Sequence, residues 1–240
     1  LGAAVFLPLT APFAALVERL RPGEGGGGAP ELDPRLLSDE GAALQAAHGA
    51  VTWAAHAVFA AYAAALGPKG DLRRLSALEP RVGLVLEDLK AFMAKISVPR
   101  DKAREAAAFA ALMQQADHLR RLLEQGRQRG FIAMLGRERV TQRPALWFAG
   151  CLSPERDLEL ADIGARMARM AGPVAHRFAR HRRGLLLGEH AGIYSVQDTF
   201  DTTDAMRWLA RIMHNVQRIG EYDHEVGQHL GRPDRTAPDV

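Results

Sequence analysis

An all-α fold, laid out as tandem antiparallel helical bundles, follows from three features of the sequence. Alanine and leucine dominate, while aromatics make up only 6%, so residues that lose little on entering a helix prevail. Apolar residues recur at three- and four-residue steps over long stretches. Those stretches are punctuated by Gly- and Pro-bearing stops. With 240 residues, 48% of them hydrophobic, the chain can bury a sizeable core in one or two domains.

The first 17 residues, LGAAVFLPLTAPFAALV, carry no charge and run into Glu18, Arg19 and Arg21. The run is slightly short of the ~20 apolar residues that span a bilayer, and Pro8 and Pro12 are better tolerated in lipid than in water. Basic residues follow the apolar stretch rather than precede it, which is the reverse of a signal peptide. Residues 1–20 are therefore expected to be the C-terminal end of a transmembrane helix, with a cytoplasmic exit. The bland alternative is an apolar helix packed on a globular domain. The start at Leu1 rather than Met points to a segment of a longer protein.

Residues 21–34, ending RPGEGGGGAPELDP, read as a linker. The four glycines are not followed by the Gly-Lys-Ser/Thr of a phosphate-binding loop. A helical domain is expected over 35–232, as two bundles of about 35–130 and 131–232, with a tail at 233–240.

Its first helix is expected to open at Ser38 as N-cap, with Asp39 and Glu40 in the first turn. It carries Leu44, Ala47, Val51, Ala55, Val58 and Tyr62 on one face and stops at Gly67-Pro68. A second helix starts near Asp71, carries Leu75, Leu78, Val82, Val85, Leu89, Phe92 and Met93, and meets a kinking residue at Pro80. A third runs from about Asp101 with Phe109, Leu112, Met113, Ala116, Leu119 and Leu123 inward, and stops near Gly126. Residues 131–150 are less regular, with Pro144 as an interruption. Ser153-Pro154 is a helix start, and that helix is expected to reach about Arg183 with a kink at Pro173. The last helix opens near Thr199 to Thr203 and ends at Gly231.

The net charge of +3 sits among many charges of both signs, so nothing calls for a nucleic-acid partner. The lone Cys151 rules out a disulfide framework and reads as a buried thiol. Trp53, Trp147 and Trp208 read as core or interface anchors. No nucleophile elbow, zinc-binding His-Glu-x-x-His, dinucleotide fingerprint or Cys-x-x-Cys is present. No catalytic role is therefore assigned.

Two segments look alike: AALMQQADHLRRLLEQGRQ and LARIMHNVQRIGEYDHEVG. Aligned on their arginines, His118 to Glu124 lies over Asn215 to Glu221. Gln217-Arg-Ile-Gly-Glu221 is similar to the motif that closes each three-helix bundle of PhoU-like proteins, and Arg120-Arg-Leu-Leu-Glu124 is a degenerate version. The stretch from Asp201 to Glu221, with Arg207-Trp208-Leu209, His214 and Arg218-Ile219, resembles more specifically the PhoU-like tail of sodium/phosphate cotransporters. Residues 1–22 resemble the end of that family's last membrane helix, and LDPRLLSDEGAALQAAHGA its entry into the first bundle.

The resemblance implies a regulatory, PhoU-like C-terminal portion of a sodium-dependent phosphate transporter, not competent for transport by itself. It implies an inner-membrane location with the helical domain on the cytoplasmic side. The implied partners are the membrane domain of the same transporter, the bilayer through residues 1–20, and a second copy of the chain as a homodimer. A free-standing cytoplasmic PhoU-like regulator and a helical metal-binding protein are the competing readings.

In PhoU-like proteins, acidic residues four positions apart can hold metal. Here the first position is Arg120 in one half and Gln217 in the other, leaving Glu124 and Glu221. An arginine at a ligand position repels a cation. Glu221 and His224 form a Glu-x-x-His pair with Glu225 one residue on, half of the pattern used twice in di-iron bundles. Glu124, Glu221, His224 and Glu225 are thus the candidate ligands for a divalent metal, as an incomplete set; the alternative is a solvated helix end. His176 to Arg183 is the densest basic stretch, and Arg177, Arg180, Arg182 and Arg183 are candidate ligands for a phosphate, an anionic headgroup or an acidic partner. Their alternative is a cationic helix C-terminus favoured by the dipole.

Overall fold

A computed structural model of the chain describes residues 29–99 and 101–231. The expected membrane-helix end at 1–20, most of the linker and the tail at 233–240 lie outside these residues. Every regular element among the described residues is helical. Seven α-helices follow in order: α1 (Glu40–Leu66), α2 (Leu72–Met93), α3 (Ala103–Gln125), α4 (Gly130–Leu135), α5 (Arg139–Leu152), α6 (Leu160–His190) and α7 (Val196–His229). They form a helical bundle around one continuous hydrophobic core.

A 3-10 turn over Pro34–Ser38 precedes α1, with the Asp33 carboxylate accepting from the Arg35 N–H at 2.8 Å. Ser38 lies inside this turn, so the N-cap of α1 is Asp39 instead, whose carboxylate accepts from the Ala42 N–H at 3.0 Å. The shift is chemically natural, because Asp satisfies an orphan amide and its charge suits the helix N-terminus. Asp71 caps α2 in the same way.

All six residues expected on the inner face of α1 are buried, from Leu44 to Tyr62. The helix is alanine-rich, and its small side chains let α2, α3 and α5 pack closely around it. By length and composition α1 could cross a membrane, yet 61% of its most apolar window is covered by the rest of the protein. The Tyr62 hydroxyl, buried at the centre, donates to the Leu122 carbonyl at 2.7 Å, and burial pushes its pKa up.

Helix α7 is the second organising element and packs against α3, α4 and α6. Its crossing with α6 is a backbone contact at two glycines. A Cβ on Gly220 would lie 2.3 Å from the Leu160 carbonyl oxygen and 2.7 Å from the Gly164 Cα. Only residues without a side chain permit this approach.

Several sequence expectations are corrected here. Met113 is 53% exposed rather than inward-facing. Residues 130–152 hold two helices, and α5 passes through Pro144, which is buried. Pro80 and Pro173 lie inside α2 and α6, within the helices where the sequence puts them. Ser153-Pro154 opens only a short 3-10 turn; Asp157 then takes a left-handed φ of 46°, which ends that turn, and α6 begins at Leu160. Helix α6 continues to His190, beyond Arg183, and α7 opens at Val196 behind a Ser195 cap.

Candidate functional site: a buried polar seam

Where α1, α3 and α7 meet, the hydrophobic core is interrupted by a line of polar side chains. Asp223 of α7 is 5% exposed. A buried carboxylate needs donors to offset lost hydration, and two come from different helices. His48 Nε2 of α1 lies 2.8 Å from its Oδ1, and Gln115 Nε2 of α3 donates to the same oxygen at 3.3 Å. His48 therefore presents its Nε2–H to the carboxylate, as the Nε2–H tautomer or as the imidazolium.

Two turns further along α1, the His56 imidazole is held below its ordinary value of 6.5. Burial is the main cause, partly offset by the charges of Asp223, Glu159 and Asp157. Thr52, one turn from each histidine, has a buried hydroxyl oxygen with no hydrogen-bond partner among the described residues, and so does Gln115 at its Oε1.

The seam continues toward the middle of α7. His118 Nδ1 lies 2.9 Å from Asn215 Oδ1, and Asn215 Nδ2 donates to Gln125 Oε1 at 3.1 Å. Since Asn215 Oδ1 only accepts, His118 carries its proton on Nδ1. Trp208 Nε1 donates to the Gln125 backbone carbonyl at 3.1 Å. The His118 ring stacks on Tyr222 at 5.8 Å and meets His214 edge-on at 6.0 Å. Arg218 also lies over Tyr222, its guanidinium 4.5 Å from the ring centroid and bonded to the Tyr222 hydroxyl and to Glu221.

Three of the four candidate metal ligands are engaged elsewhere. Glu124 is exposed and accepts from Arg120 at 2.5 Å. Glu221 accepts from Gln217 at 2.7 Å and from Arg218. His224 pairs with Gln228 at 2.8 Å, and Glu225 is exposed. Among the described residues, no group of three or more His, Cys, Asp and Glu side chains is placed to hold a metal ion.

Arg177, Arg180, Arg182 and Arg183 lie on the exposed surface of α6, with Arg180 reaching His176 at 3.0 Å. They stand about two to four turns before the helix end rather than at it, because α6 runs on to His190. Cys151 is buried, and burial raises its pKa despite nearby Arg156 and Arg166. Of the tryptophans, Trp53 and Trp208 are buried and Trp147 is half-buried.

Sequence reasoning did not find His48, His56, Gln115 or Asp223. His48, Thr52 and His56 repeat every four residues along α1, and that polar stripe within an apolar helix was the available signal.

The seam's donors and acceptors are largely consumed by one another, and among the described residues no hydroxyl or thiol is hydrogen-bonded to a histidine. A hollow of about 290 Å3 lies elsewhere, between α1 and α2, lined by Ala57, Ala61, Leu78 and Arg81 among others. Comparison with protein-family models, with curated proteins and with solved structures gave no match.

Proposed function

We propose that the chain is the regulatory, PhoU-like C-terminal portion of a sodium-dependent phosphate transporter, arranged as two helical bundles in tandem and unable to transport by itself. One observation carries this reading. His118 and Asn215 occupy the same place in the two repeated segments, and they are hydrogen-bonded to each other across the α3–α7 contact at 2.9 Å. A duplicated bundle whose closing helices meet about a pseudo-two-fold axis brings equivalent positions together in this way. Such a body regulates through helix contacts: it has long rigid elements, and its buried polar seam fixes their register.

A second reading is a free-standing cytoplasmic regulator, in which residues 1–20 belong to the helical core instead of ending a membrane helix.

Membrane partitioning separates the two. The full chain and a version starting at Arg35 are expressed side by side. The transporter reading expects only the full chain to sediment with membranes and resist carbonate extraction. If both versions stay in the supernatant, the free regulator is the better account. If both sediment, α1 itself enters the bilayer and both readings fail. Phosphate uptake into liposomes by the chain alone would refute its dependence on a separate membrane domain.

A further inference from the structure

The α6–α7 hairpin ends in an apolar tip. Leu186, Leu187, Ile193, Val196 and Phe200 are each at least half exposed, and Tyr194 is 38% exposed. The tip is tightly built. The Ile193 N–H donates to the Gly188 carbonyl at 2.8 Å, Gly192 takes a left-handed φ of 72°, and Ser195 caps α7. Gly188 has no side chain where the Tyr194 ring sits; a Cβ there would lie 2.5 Å from that ring. Apolar side chains held outward on a fixed turn form a patch that calls for a partner.

We propose that this hairpin end is the interface through which two copies of the chain form a two-fold dimer. The charges behind the tip name the partner. Helix α6 carries exposed Arg177, Arg180, Arg182 and Arg183, while α7 begins with Asp198, Asp201 and Asp204. These sets do not pair within one hairpin: Asp198 bonds to Ser195, Asp201 accepts from Gln197, and Asp204 pairs with Arg207. Among the described residues, Arg180 reaches His176.

The two sets match in depth. Counting from Gly192, Arg183 and Asp201 each lie nine residues away, and Arg180 and Asp204 each lie twelve. At 1.5 Å per residue within the helices, Arg183 and Arg180 lie about 10 and 15 Å behind the α6 end at His190, and Asp201 and Asp204 about 8 and 12 Å behind the α7 start at Val196, so each pair falls within about 3 Å of one level. Along α6, Arg180, Arg183 and Leu187 share a face; along α7, Phe200 and Asp204 do.

A two-fold axis parallel to the hairpin lays α6 of one copy along α7 of the other. Apolar tip then meets apolar tip, Arg183 meets Asp201 of the second copy, and Arg180 meets Asp204 of the second copy. Such an isologous surface is self-complementary by construction. An anionic bilayer is a poorer fit, because it would attract the arginines and repel both the aspartates at similar depth and Glu189 nearer the tip. Breaking the exposed Asp204–Arg207 pair costs little, as surface ion pairs do.

The test is sedimentation equilibrium of the full chain in mild detergent, with circular dichroism confirming that each variant keeps its helix content. The expected result is a dimer. Phe200→Asp should weaken it at least about a hundredfold, as a buried apolar anchor does. Arg183→Asp or Asp201→Arg alone should weaken it about tenfold, and the double variant should recover to within about threefold of the parent. If Phe200→Asp loses helix content, Phe200→Ala and the charge exchange carry the test. A monomer at every concentration, a dimer indifferent to these changes, or a double variant no better than the singles would overturn the proposal. Phe200-dependent flotation of a monomer with anionic vesicles would overturn it in favour of a lipid surface.

Discussion

Replacing Gly220 by alanine isolates the α6–α7 crossing. In an open helix the change would stabilise by about 1 kcal/mol, the intrinsic preference of alanine over glycine. Here the new Cβ would sit 2.3 Å from the Leu160 carbonyl oxygen and 2.8 Å from the Gly164 backbone nitrogen. All of these neighbours are backbone, so no side chain can swing aside. The helices must separate by roughly 1 Å to restore normal contact, which forfeits a quarter to a half of the dispersion energy along that stretch. Overpacking of this kind typically costs 1–3 kcal/mol, and rigid backbone on both sides places it near about 3. The net expectation is a loss of about 2 kcal/mol, or roughly 4–8 °C in Tm for a domain of this size.

Gly83→Ala is the internal control. Gly83 lies within α2, and a Cβ there meets nothing within 4 Å. It should gain about 0.5–1 kcal/mol. Urea unfolding followed by circular dichroism measures both variants, with unchanged m-values confirming that stability alone has moved. If Gly220→Ala proves as stabilising as Gly83→Ala, the close crossing is not where the structure puts it and the reasoning is wrong.

Two further expectations concern the polar seam. Asp223→Ala should cost about 2–4 kcal/mol in the same urea assay, because it strands the His48 and Gln115 donors in the core; Asp223→Asn, which keeps an acceptor, should cost about half as much. Stability should also fall as pH drops below 6.5, the ordinary imidazole value. The sign follows from His56: its pKa is lower in the folded protein, so the unfolded chain binds the extra proton first and acid favours unfolding. His214 is shifted the same way, chiefly by burial. His56→Gln should flatten the profile between pH 6.5 and the lowered folded value; an unchanged slope would remove His56 as its source.

The helical elements were legible because periodicity and stop signals are local. The apolar faces of α1 and α2, the stop at Gly67 and the Asp71 start all lie close to where the sequence puts them. The errors cluster where tertiary packing outweighs propensity. Pro144 reads as an interruption, yet it sits buried within a helix that its neighbours hold in place. Met113 has the right spacing for the core but no helix to face. The motif residues illustrate the same limit. Gly220 drew notice as part of an Arg-Ile-Gly-Glu pattern, whereas its physical role is to admit the backbone of α6.

By itself the sequence determined that the chain is helical, where α1 and α3 begin and end, and which faces α1 and α2 bury, since each depends on neighbours within a few turns. Only the tertiary structure decided that His48 and Asp223, 175 residues apart, share a hydrogen bond, that Glu124 and Glu221 are spent on arginines, and that the tip of the α6–α7 hairpin is left uncovered. Helical period fixes the direction in which a side chain points; what it meets there depends on which helix arrives from elsewhere in the chain.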